Sequence, residues 1–277
     1  MHLRRRLQLA WLCAVVTISA VVTAHAGPAE ASTRDNEIAA NLSARLASAQ
    51  AYAASRPGTV GIVVIDRRSG RVLANRYADT LVWTASTIKL AVATDLLQRN
   101  DAGTITLSAA NRADLHRMLN SSDDEATDRL WFAYAGNDHM RFNRDFAAFG
   151  MTHLVAERGF TRFYPYWGFQ KDTPRDLARL VSYVLSRTTP AVRGVLVREM
   201  RGVAANQQWG IKSLPVALRP GNKNGWSDEQ GGSVINSIGF AGTGERFVIS
   251  IMNSLNGQGN QDDGRITVSE VARRLLG

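Results

Sequence analysis

The sequence predicts an α+β fold, a five-stranded antiparallel sheet flanked by terminal helices and joined to an all-α subdomain. Val- and Ile-rich runs stand near both ends, and the long middle stretch repeats apolar residues at three- and four-residue spacing. A chain of 277 residues with 45% hydrophobic content can also bury a large core. Strands divided around a helical insert make one sheet assembled from both ends, with the helices as a separate body. A cleft between the two is the natural place for a site.

Residues 1–26 read as a secretory signal peptide: Arg4-Arg5-Arg6, an apolar run from Leu7 to Ala24, and the small-residue pattern Ala24-His25-Ala26. A second candidate cut follows Ala29-Glu30-Ala31, and Sec and twin-arginine export both stay open. Cys13, the one cysteine, lies in that segment, so a mature chain has no disulfide or thiolate metal site. Cleavage near Ala26 removes three arginines and no acid, so the net charge falls from +9 to +6. Export to a bacterial cell envelope or the medium is expected, with a charge compatible with anionic envelope polymers. No basic run interleaved with aromatics supports nucleic-acid binding.

Residues 27–33 read as a linker and 34–277 as the folded part, with 34–80 and 205–277 forming the α/β portion and 81–204 the all-α portion. Ile38, Leu42, Leu46, Ala49 and Ala53 predict one helix over Arg34 to Ser55. Thr59 to Asp66 and Arg71 to Ala78 predict a hairpin about Arg67-Arg68-Ser69-Gly70. Helices follow over Ser86–Gln98, Ala110–Leu119, Asp124–Ala135, His139–Phe149, Thr173–Ser186 and Ala191–Val203, the fifth opening on Thr173-Pro174. Strands return over Val216 to Trp226, Gly232 to Phe240 and Arg246 to Asn253, and Ile266–Leu276 closes as a helix.

Positive charge is supplied by twenty-nine arginines and only four lysines, two of them in suggestive places. Arginine keeps its proton in proteins, whereas a desolvated lysine can give its proton up and act as a base. Lys89 lies three residues after Ser86, at the start of a predicted helix, so hydroxyl and amine share one face. The helix N-terminus favours charge developing on an attacked carbonyl. Asn120-Ser121-Ser122-Asp123-Asp124 lies between two predicted helices, where a second hydroxyl can relay a proton; Ser121 and Ser122 both qualify. Lys223-Asn224-Gly225 falls on a strand before Trp226, where a cation can hold a carboxylate and glycine admits close approach.

As an ordered set, these three motifs resemble the serine β-lactamase and penicillin-binding protein superfamily, and most of all its class A β-lactamases, over about residues 35–277. The resemblance implies a β-lactamase/transpeptidase-like fold, Ser86 as nucleophile, Lys89 as general base and Ser122 as proton relay. It implies Lys223 as the carboxylate-recognising cation, and backbone N–H groups of Ser86 and Trp226 as the oxyanion hole. Substrate contacts are expected from Asp124, Lys223, Asn224, Gly225 and Trp226. The partner would be a β-lactam or a peptidoglycan-type peptide, bound by a monomer without cofactor.

Three departures from the family pattern stand out. Asp124 replaces the usual asparagine, and a carboxylate near Lys89 favours the ammonium form. Asn224 replaces a threonine or serine, which removes a hydroxyl contact, and the stretch from Ser86 to Ser122 is short for the family. The loop before Thr173 lacks the glutamate and Leu-Asn pair that serve deacylation, leaving Glu157 as the candidate base. Its aromatics Phe163, Tyr164, Tyr166, Trp167 and Phe169 either pack the loop or line a groove. There is no Gly-x-Ser-x-Gly elbow and no phosphate loop, and His116, His139 and His153 are too scattered for a metal site. The reading is therefore a serine hydrolase with weak deacylation, with a D,D-peptidase-like protein or a silent envelope binding protein as alternatives.

Overall fold

A computed structural model describes residues 28–138, 140–159, 162–229 and 231–277. The predicted signal peptide, its cleavage sites up to Ala26 and Cys13 lie outside the described residues. The main sheet contains β1 (Thr59–Asp66), β2 (Arg71–Ala74), β6 (Gly221–Glu229), β7 (Gly232–Ala241) and β8 (Phe247–Ser254). Its spatial order is β2-β1-β8-β7-β6, antiparallel throughout, so the expected sheet from both ends is formed.

Alternation along the strands feeds two cores. Ile62 and Val64 of β1, with Ile249 and Ile251 of β8, face α1 (Pro28–Ala40), α2 (Leu42–Ala54) and α9 (Gln261–Leu276). Val63, Val248 and Phe240 face the helical body of α3 (Lys89–Asp101), α4 (Ala109–Asn120), α5 (Asp124–Ala135), α6 (Arg141–Ala148), α7 (Pro174–Ser186) and α8 (Pro190–Arg201). The Thr173-Pro174 start is observed: Thr173 caps α7 by accepting from Asp176 N, with proline at the first turn. Among the described residues no helix is long and apolar enough to cross a membrane.

Several boundaries differ from the sequence reading. The stretch read as a linker is helical from Pro28, and the single helix over 34–55 is divided at Asn41. The Asn41 side chain donates to Glu37 O, and such back-bonding to the preceding turn bends helices. The second strand stops at Ala74 because the Asn75 amide takes over the strand's partners, accepting from Ile62 N and donating to Val60 O. Residues 216–218 form a 3₁₀ turn, and β6 begins only after Pro220, which has no N–H for a ladder. The portion read as all-α holds a small sheet of β3 (Val82–Trp83), β5 (Gln170–Asp172) and β4 (Val155–Ala156). Strands of two or three residues carry no period a sequence could reveal.

One buried ion pair ties β1 to the approach of β8. Arg246 binds both carboxylate oxygens of Asp66 at 2.9 and 3.1 Å, and Ser69 and Arg68 N complete the shell. The Arg246 hydrogen bonds hold the Asp66 pKa down to about 2 against burial. The folded pKa lies below the unfolded one, so this stabilisation is complete above pH ~4 and lost as pH falls through ~2. Asp66→Asn should lower unfolding free energy by about 2 kcal/mol at neutral pH in urea titrations. It should also flatten the pH dependence of stability between pH ~4 and ~2.

Candidate active site

Ser86 lies in a 3₁₀ turn, Ala85–Ile88, that leads directly into α3. The turn is clamped from two sides. Gln170 O of β5 accepts from Thr84 N at 2.8 Å and Thr84 Oγ1 at 3.0 Å, and Asn236 Nδ2 of β7 donates to Trp83 O at 2.8 Å. Ala85 has φ 46°, and Ser122 in the α4–α5 turn has φ 66°. Left-handed backbone at non-glycine residues costs about 1–3 kcal/mol each and clusters at functional sites.

The three motifs converge here. Lys89 is fully buried, and its Nζ reaches Ser122 O at 2.7 Å, Ser122 Oγ at 3.4 Å and the Asp124 carboxylate. Lys223, also buried, has its Nζ 2.8 Å from Ser122 Oγ and 2.8 Å from Asn224 O. Ser122 thus sits between two amines. Ser121 points elsewhere, its hydroxyl donating to Arg117 O at 3.1 Å, which decides between the two serines. Among the described residues no hydrogen bond joins Ser86 Oγ to Lys89 Nζ.

Charge in this cluster is uneven. Burial pushes the Lys89 pKa down, while Asp124, with Asp123 and Asp128 farther back, pulls it up. Burial and then the Lys89 charge push Lys223 well below the ordinary lysine value, with Asp124 opposing. The Asp124 side chain is 71% exposed, so it meets the buried amine from the solvent side.

Gly225 is where β6 touches the nucleophile turn. A Cβ there would stand 2.8 Å from both Ser86 N and Thr87 N and 2.9 Å from Thr84 O. β6 is an edge strand, so part of its backbone is left free for a ligand, as an oxyanion hole near Trp226 requires. The Trp226 ring packs edge-on against Trp209 with centroids 6.0 Å apart, and Arg265 lies over both. Asn224, expected to contact substrate, is spent internally: its amide donates to Gln207 O at 2.9 Å and accepts from Asn222 Nδ2 at 2.8 Å. Both residues lie on the strand face opposite Lys223, which alternation requires.

Glu157 follows β4 and accepts from Lys171 Nζ at 3.0 Å, with that amine 4.3 Å from the Trp83 ring centre. The pair lines a cavity of about 490 Å³ with Gly159, Phe169, Asp228 and Glu229, and among the described residues no hydrogen bond or ion pair joins Glu157 to Ser86 or Lys89. Asp172, at the foot of the same loop, is buried, and burial pushes its pKa up to about 8. What stands over Lys89 is Trp167, whose ring centre is 4.6 Å from Nζ. Asp128 fixes it, accepting from Trp167 Nε1 at 2.7 Å and Tyr166 Oη at 2.6 Å. The loop aromatics pack, as Tyr166 meets Phe132, Trp167 and Phe169, yet Trp167 also covers the site. Asp128 was missed, although its four-residue spacing from Asp124 puts both acids on one face of α5.

Comparison with solved structures then decides the fold. An ancestral class A β-lactamase superposes with a TM-score of 0.68 at 20% identity, covering 85% of this chain and 98% of that one. A β-lactamase from Xanthomonas campestris gives 0.69 at 20% identity, covering 86% and 97%. The chain has the class A β-lactamase fold. It is the fold of the serine β-lactamase and penicillin-binding protein superfamily, and residues 41–114, which include Ser86 and Lys89, match the β-lactamase enzyme family. "Putative lipoprotein LppW" of Mycobacterium tuberculosis and of Mycobacterium bovis is 38% identical over 96 residues, 35% of this chain. The match spans about 30% of those relatives' own length.

Gly225→Ala should shift the β6 contact, because backbone atoms of the Ser86 turn have nowhere to go. Overpacking of this kind costs about 1–3 kcal/mol, read as a lowered melting temperature. Whatever folded protein remains should lose reaction at Ser86, measured as covalent labelling by a fluorescent penicillin.

Proposed function

We propose that the protein is a β-lactamase-like serine hydrolase that forms an acyl-enzyme on Ser86 with a β-lactam or peptide-like amide and releases it slowly. The observation that carries this reading is the convergence of Lys89, Ser122 and Lys223, with the Ser86 turn packed against Gly225 of the edge strand β6. Ser86 Oγ would attack the carbonyl, with the N–H groups of Ser86 and Trp226 receiving the oxyanion. The Lys89–Ser122–Lys223 cluster would move the proton from the nucleophile to the leaving nitrogen.

Slow release is supported by what covers Lys89. The Trp167 indole, pinned by Asp128, covers Lys89 with an apolar ring that offers a deacylating water no hydrogen bond. Glu157 is engaged by Lys171, and Asp172, with its pKa pushed up to about 8, is mostly protonated at neutral pH. With neither acid free to activate a water, the acyl ester would persist. The relative named as a lipoprotein supports an envelope location, where a peptidoglycan-type peptide is the natural alternative substrate.

The Lys89–Asp124 ion pair favours a second reading, a D,D-peptidase-like or catalytically silent envelope binding protein in which the site is detuned. Intact-mass spectrometry after incubation with a fluorescent penicillin tests the first reading. A lasting adduct is expected on the native protein and none on Ser86→Ala. Penicillin consumed without an adduct would mean full turnover by an unassigned base, and neither outcome would leave the binding reading. On that second reading Asp124→Asn, which removes the charge but keeps the shape, should raise the acylation rate about tenfold or more.

A further inference from the structure

The two buried amines around Ser122 cannot play equal parts. Lys89 has three N–H donors, and three acceptors stand around it: the Asp124 carboxylate, Ser122 O and Ser122 Oγ. The Trp167 ring face adds a fourth neighbour that prefers a cation. Only the Ser122 hydroxyl in this shell could donate to Lys89, and it lies farther from Lys89 Nζ, at 3.4 Å, than from Lys223 Nζ, at 2.8 Å. Lys223 differs. Its partners are Ser122 Oγ and Asn224 O, and among the described residues no carboxylate lies within ion-pair distance of it. Ile238, its partner across β7, carries no charge.

The hydroxyl of Ser122 makes the difference sharper. With both lysines as ammonium ions, Ser122 Oγ would accept from both, and its own proton would have to turn away from both amines. With Lys223 neutral, the Ser122 proton has an acceptor. Lys89 donates to Asp124 and Ser122, the Ser122 hydroxyl donates to the Lys223 lone pair, and Lys223 donates to Asn224 O. We propose that Lys223, through Ser122, takes the Ser86 proton, while Lys89 remains an ammonium ion bound to Asp124. This rests on the acyl-enzyme reading above and exchanges the parts first expected of the two lysines. Burial and the facing Lys89 charge, which lower the Lys223 pKa, act in the same direction; Asp124 is the opposing charge.

In the step itself the Ser86 Oγ–H bond breaks as the Oγ–carbonyl carbon bond forms. The proton passes to Ser122 Oγ, whose own proton passes to Lys223 Nζ. The carbonyl C–N bond then breaks, and a proton returns by the same route to the leaving nitrogen. Lys223 is neutral again, Ser86 carries the acyl ester, and the amine has gained one hydrogen.

Only four lysines occur in the chain, so their amines can be followed one by one. Protein labelled with carbon-13 at lysine Cε would be titrated by NMR. A Lys171→Arg/Lys212→Arg variant would leave two signals, and Asp124→Asn would mark Lys89 as the signal that moves most. The native protein, titrated in parallel, guards against distortion by the variants. The expected result is that Lys223 loses its proton first and Lys89 at higher pH, and that Asp124→Asn narrows the gap by lowering Lys89. The acidic limb of the pH–acylation profile should follow Lys223. Lys89 titrating first, or a Lys223 that stays charged as long as Lys89, would overturn the proposal. Failure to acylate with penicillin would instead count against the acyl-enzyme reading, since the NMR order of the amines is measured without substrate.

Discussion

Two lysine amines buried against one serine hydroxyl are the constraint on which this structure turns. Removing an ammonium ion from water costs several kcal/mol even after relaxation, and two close together repel as well. Among the described residues, of the two only Lys89 has an ion-pair partner, the exposed Asp124 carboxylate that reaches in from α5. Lys223 has only neutral oxygen partners among the described residues. The protein therefore holds one amine as a charged strut and leaves the other unstable as a cation. A site that needs a base at neutral pH gains from that imbalance.

The rest of the fold keeps these groups within reach of Ser86. Cores on both faces of the sheet hold β6 and β7 in register, so Lys223 and Gly225 point the same way while Asn222 and Asn224 point to the other. Gly225 lets the strand lie against the Ser86 turn, Asn236 ties that turn to β7, and Gln170 ties it to the loop strand. Ala85 and Ser122 sit in left-handed backbone on either side of the cluster. Strain at two such points persists only because the surrounding packing fixes them. The loop that closes the site is anchored by one carboxylate, Asp128, which holds both Tyr166 and Trp167. The same contact aligns the indole over Lys89 and reinforces its positive charge.

Much of this was legible in the sequence because it is periodic or ordered. The strand runs from Thr59 and Gly232, the Thr173-Pro174 helix start and the order of the serine–lysine motifs gave the α+β class and the cluster's members. What escaped was set by single side chains acting across space. Asn41 and Asn75 end a helix and a strand by replacing backbone partners, and no local period announces that. Asn224 could be read as a substrate contact until Gln207 and Asn222 were found to use its amide. Glu157 was the nearest glutamate to that loop in sequence, yet its partner is Lys171, fourteen residues on. Trp167 was visible as an aromatic but not as the cover of a lysine.

The central claim is that Ser86 carries a long-lived acyl group in a site whose charges are already arranged. A crystal structure of the native protein exposed to a penicillin tests it most directly. The account predicts continuous density from Ser86 Oγ to an opened ring, the ester oxygen at the N–H groups of Ser86 and Trp226, and Trp167 still over Lys89. A penicillin with its ring intact in the cleft, or bonded to any residue other than Ser86, would contradict it.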